Sequence, residues 1–177
     1  FPDAAWAGYM LPTIPGSTNW AFRSLIGVTA DSLLESQSSA VFSNNGNTYE
    51  VFNSVGVTRE GKVSSGEYVD TIRGADWLKA RLQENLFSLL INTDKVPFED
   101  DGGDMVENYM REIFEEAVDN GFIAKDEDRQ GKYTITVPDV ADISSADKLA
   151  RFLSGITFDG TLSGAVNKIG VSGNLSV

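Results

Sequence analysis

Apolar residues recur at every second position up to the end of this chain: Ile169, Val171, Leu175 and Val177, with Gly173 in the slot between. Side chains along a strand alternate between two faces, so this spacing asks for a sheet. Ile156, Phe158 and Leu162 alternate further back, and Ser163-Gly164 separates the two runs. A chain end ordinarily frays, because few contacts repay the entropy of ordering it. An end patterned as a strand therefore needs a sheet to join. That sheet is either its own or a neighbouring molecule's, where backbone hydrogen bonds would supply affinity and alternate side chains specificity.

The rest of the chain mixes helical and strand signals. Pro2, Pro12 and Pro15 suggest an extended segment over 1–16, and Asp31 is placed to cap a helix carrying Leu33, Leu34, Val41 and Phe42. Short β-forming runs broken by Gly56, Gly61 and Gly66 predict a meander or paired hairpins over 48–72. Leu78, Leu82, Leu86 and Leu90, with Trp77, Phe87 and Ile91 beside them, predict a well-buried helix over 76–92. A second helix over 103–120 carries Val106, Met110, Ile113, Phe114 and Ala117 on one face and stops at Asn120-Gly121. Tyr133 to Val137 alternates as a strand, and Ser144, with Asp147 three residues on, caps a third helix running to Gly155. The expected fold is α+β, with a mixed or antiparallel sheet packed against about three to four helices. It comprises an extended segment (1–16), an α+β body (17–155) and C-terminal strands (156–177).

Composition removes most chemistry. The 177 residues include no cysteine and no histidine. That excludes disulfides, zinc–thiolate clusters, thiol nucleophiles and serine–histidine triads. A formal net charge of −12 opposes direct binding to nucleic acid or anionic lipid. No run reaches the roughly 20 apolar residues of a membrane-spanning helix. The chain opens on Phe1 rather than Met and reads as the interior of a longer sequence.

Glu99, Asp100, Asp101 and Asp104 surround Gly102-Gly103 and are oxygen ligands of the kind calcium takes. Carboxylates before and inside a first helical turn equally complement the helix dipole. The loop opening at Asp126 misses the calcium template at Gln130 and Val137. With 26 acidic residues, some carboxylate pair always meets the spacing of a glycosidase. No catalytic, cofactor or metal residue is assigned. Trp6, Trp20 and Trp77 would form a carbohydrate platform if exposed together, which keeps a surface adhesion module as the alternative; as core residues, Trp6 and Trp20 would pin the proline-containing segment. Glu112, Glu115 and Glu116 lie on a solvated helix face that could also serve as an interface.

The sequence resembles the C-terminal part of bacteriophage contractile-tail sheath proteins. The likeness runs through Gly66-Glu67-Tyr68-Val69-Asp70, Ile72-Arg73-Gly74 and Trp77-Leu78. It continues in Lys95-Val96-Pro97-Phe98 with Asp101-Gly102, then in Ser144, Asp147 and Arg151 before Phe158 and Leu162-Ser163-Gly164-Ala165. This resemblance implies a non-enzymatic virion protein, assembled in the host bacterial cytoplasm, that forms six-fold rings around a tail tube and contracts by subunit rearrangement. Neighbouring sheath subunits, the tube protein, and baseplate and tail terminator proteins would be its partners, with no nucleic acid or membrane insertion. It also favours strand exchange between subunits through a C-terminal arm in which Ala165, Val166, Ile169, Val171, Leu175 and Val177 form the linkage. Gly155 and Gly160 would be the hinge.

Overall fold

In the computed structural model, which describes residues 1–174, the chain divides into two compact units. The first joins Phe1–Ile14, Thr18–Asp70 and the described part of Gly164–Val177; the second joins Pro15–Ser17 and Thr71–Ser163.

The first unit is built on a hairpin of β1 (Thr48–Phe52) and β2 (Val55–Arg59), paired from Thr48↔Arg59 to Phe52↔Val55. Asn53 and Ser54 both have positive φ, 47° and 66°, which matches the right-handed twist of a two-residue hairpin turn. Both hairpin edges are occupied. Asp31 N–H donates to Tyr49 O (3.0 Å) and Val51 N–H to Asp31 O (2.9 Å), while Phe22 and Arg23 pair with Thr58 on the other side. Asp31 is thus an edge bridge and not a cap, and the helix after it, α2, spans only Glu35–Phe42. One hairpin and a Lys62↔Tyr68 bridge stand where the glycine-broken pattern suggests a meander.

Helix α1 spans Pro2–Met10, against the extended conformation that the prolines suggest. Pro2 occupies the first turn, where its missing N–H would have had no intrahelical acceptor and its fixed φ suits the helix.

The second unit is organised by two long helices, α3 (Val69–Asn92, its first two residues counted with the first unit) and α4 (Asp100–Asp119). They run antiparallel: Arg81 pairs with Glu116 at 3.0 Å, and Asn85 Nδ2 donates to Tyr109 O at 2.7 Å. Leu78, Leu82 and Leu89 pack with Val106, Met110, Ile113, Phe114 and Ala117 in one apolar cluster.

Both helices begin earlier than periodicity suggests, because glycine stands in each N-terminal region. A side chain at Gly74 would collide with the Phe122 ring, and one at Gly102 with the Pro97 carbonyl. These glycines permit close approach and do not break the helices.

Strands β3 (Tyr133–Thr136) and β4 (Thr157–Gly160) pair antiparallel beneath α4. Phe114 stacks on Tyr133 (4.8 Å) and meets Phe158 edge-on (5.1 Å). Ser144 accepts from Asp147 N–H and caps α5 as expected, but the helix spans only Ser145–Leu149. It ends because Arg151 turns to φ 54°, so Phe152 N–H reaches back to Asp147 O. Among the described residues there are five α-helices and two separate two-stranded antiparallel sheets, so the fold is α+β.

Candidate assembly surfaces

The C-terminal stretch reverses ordinary burial. Past Ser163 the described residues form no strand, and Val166, Ile169 and Val171 are 76%, 83% and 91% exposed. Ala165 is exposed as well. Leu175 and Val177 lie outside the described residues. Ile169 and Val171, the described positions on the period-two spacing, thus find no cover within the described chain. Asn167 alone in 164–174 is shielded from full exposure, held by Asn19 Nδ2 at 2.7 Å.

A second apolar surface opens in the second unit, where Leu78, Leu82 and Leu86 of α3, with Phe158 and Leu162, line a cavity of about 460 Å³ bordered by Lys79 and Gln83. Further along α3, Phe87, Leu90 and Ile91 are exposed, so the helix is only partly buried. Its apolar face is wider than one antiparallel neighbour covers. The stripe through Leu78, Leu82 and Leu89 packs on α4, and Phe87, Leu90 and Ile91 lie outside that stripe. The breadth of that face was legible in the sequence; that part of it stays open was not.

The acidic face of α4 is engaged inside its own unit. Glu116 pairs with Arg81, Glu112 accepts from Asn85 at 3.2 Å, and Glu115 accepts from the Tyr133 hydroxyl. Burial, then that hydrogen bond, push the Tyr133 phenol up to about 12. Asp126 closes its loop with its own carboxylate, accepting from Asp128 N–H (2.9 Å) and Gln130 N–H (2.8 Å). Among the described residues no group of three or more acidic side chains is arranged to hold a metal ion.

The hinge glycines differ in setting. Gly155 has φ 83° and lies beside Pro138. Gly160 pairs with Tyr133 in the sheet, and a side chain there would press on Ile123 at 3.2 Å, so its small size serves packing. The tryptophans form no open platform. Trp20 is buried, Trp6 meets it edge-on at 5.4 Å, and the Trp6 indole donates to Trp20 O at 3.1 Å. Trp77 is half-buried against the core of the second unit.

A search among curated proteins gave no match. Several solved structures share the fold. One from the anti-feeding prophage (AFP) baseplate, 6-fold symmetrised, superposes with a TM-score of 0.75 at 13% identity over 98% of this chain. An extracellular contractile injection system, the PVC sheath complex in its contracted state, gives 0.71 at 9% identity over 92%. The contracted AFP helical sheath gives 0.64 at 12% identity over 95%. The chain spans 49%, 46% and 48% of the length of those three proteins. Residues 69–175 match the family model described as E217 tail sheath protein gp31-like, C-terminal domain. With most of its length accounted for by that match and its fold shared with contractile sheath structures, the chain belongs to the E217 tail sheath protein gp31-like family.

Proposed function

We propose that this chain is the part of a sheath subunit that ties neighbouring subunits together in a phage contractile tail, polymerising into six-fold rings around the tail tube and shortening by subunit rearrangement during genome delivery. The observation that carries the reading is the row of exposed apolar residues Val166, Ile169 and Val171 in a stretch with strand spacing. Singly exposed apolar residues are ordinary, but Ile169 and Val171, two apart on one strand face with Val166 close by, are suited to adding a strand to another molecule's sheet. Residues 165–177 then form the linkage arm.

Of the two proposed hinge glycines, Gly155 lies outside the strands and can pivot without breaking a sheet, whereas a pivot at Gly160 would require unpairing β4 from β3. Contraction would draw its energy from new contacts between subunits, and no catalysis is involved. The tube protein, baseplate and tail terminator would be the other partners, in a virion assembled in the bacterial cytoplasm. The acidic face at Glu112, Glu115 and Glu116 is a second proposed contact surface. Because each carboxylate already holds an intrachain partner, Glu→Gln changes, which keep an acceptor and remove the charge, are its fair test.

Negative-stain electron microscopy of the full-length protein, with and without residues 165–177, tests the linkage. Cylinders are expected from the intact protein. The deletion should give folded, unassembled particles with an unchanged circular dichroism spectrum; normal cylinders from it would overturn the reading.

A further inference from the structure

In residues 164–174 the apolar side chains face solvent and the one shielded residue is an asparagine. The hydrophobic effect therefore does not hold this stretch to its unit. Asn167 does so through its amide. Its Oδ1 accepts from Asn19 Nδ2 at 2.7 Å, and its Nδ2 reaches the Glu60 carbonyl at 3.4 Å. The receiving side is already ordered. Asn19 Oδ1 accepts from Ala21 N–H at 2.9 Å, the Asn19 carbonyl accepts from Arg23 Nε at 2.9 Å, and Glu60 forms an ion pair with Lys62 at 3.1 Å.

We infer that Asn167 is a clasp that parks the start of the C-terminal stretch on its own unit through the Asn19 amide and the Glu60 carbonyl, fixing where the stretch leaves the body. Neutral hydrogen bonds of this kind exchange for water at small net cost, so the clasp can open, whereas a buried apolar anchor would resist release. It rests on the linkage reading only for what the presented residues do. Lys168, exposed next to Asn167, supplies a direct probe. Trypsin can cut after it only when several residues on either side leave the surface, so cleavage reports the open population.

The experiment is limited trypsin digestion of the native chain, following loss of the peptide beyond Lys168 by mass spectrometry, with rates normalised to the urea-unfolded chain. Asn167→Leu keeps side-chain volume and removes the amide. Asn19→Ala leaves the cleavage sequence untouched. Asn167→Leu, which removes both bonds, is expected to speed the cut about tenfold, Asn19→Ala, which leaves the Glu60 bond, to speed it less, and the double variant no more than Asn167→Leu alone. An unchanged rate in either single variant, or effects that multiply in the double, would overturn the clasp. If the clasp behaves as expected while the 165–177 deletion still builds normal cylinders, the linkage reading fails and the clasp stands.

Discussion

Each of the two units is stabilised in its own way. Ser38, Glu50 and Thr58, the buried polar residues among those described, all lie in the first; the apolar cluster around Phe114 lies wholly in the second. Glu50 is 4% exposed and takes a hydrogen bond from Ser38 Oγ (2.5 Å), another from Thr48 (3.2 Å) and an ion pair from Arg59 (2.9 Å). The Arg59 guanidinium in turn sits over the rings of Phe42 (5.0 Å) and Phe52 (5.3 Å). The first unit also buries Met10, Trp20, Ala21 and Leu25, but its hairpin is fixed by directional bonds, and among the described residues every buried side-chain polar atom has a partner. The second unit, with two long amphipathic helices, depends on volume filling. One should therefore fail when a partner is orphaned and the other when a cavity opens.

The largest effect expected is from Phe114→Ala. It removes a ring that touches both Tyr133 and Phe158, and should destabilise the second unit by about 4 kcal/mol in urea titration. Hydrogen exchange should show the loss in α3 and α4 while β1 and β2 stay protected; equal loss in both units would break the comparison. Glu50→Ala strands Arg59 and Ser38 and should cost about 3 kcal/mol, with the loss centred on the hairpin and α2. A cost under about 1 kcal/mol, the range of an exposed pair, would mean the polar network is incidental.

Gly74→Ala forces a methyl group into the Phe122 ring and should cost about 2 kcal/mol by overpacking, lowering the thermal midpoint without changing the m-value. The smallest effect concerns pH. The Tyr133 phenol titrates near 12 in the fold instead of its ordinary 10, so the folded state holds the proton more tightly. Its contribution is complete below pH 10 and is lost as pH climbs from 10 to 12. Tyr133→Phe should therefore be less stable than the parent at pH 8, and the gap should close toward pH 12 in denaturant titrations; a constant gap would count against this assignment.

Two helix ends show what was legible. α4 stops at Gly121, whose φ of 76° lets Phe122 N–H close on Ala117 O, and glycine after a helical stripe announces that stop. α5 closes by the same bonds with Arg151 in the left-handed position, and nothing in an arginine announces it. Gly74 and Gly102 mislead in the other direction, resembling breakers while serving packing. The shielding of Asn167 had no local signal, because Asn19 and Glu60, its partners, lie far off in the chain.

By itself the sequence determined the amphipathic stripes of α3 and α4, the Ser144 cap, the period-two spacing of the chain end, and the absence of thiol and imidazole chemistry. These depend on neighbours within a few residues, where periodicity and capping act. The tertiary structure alone decided that β1–β2 and β3–β4 form separate sheets, that Asp31 bridges a strand, that part of the α3 face stays open, and that Val166, Ile169 and Val171 are left uncovered. Each of those depends on which distant segment arrives to cover a surface, and a local pattern carries no record of that.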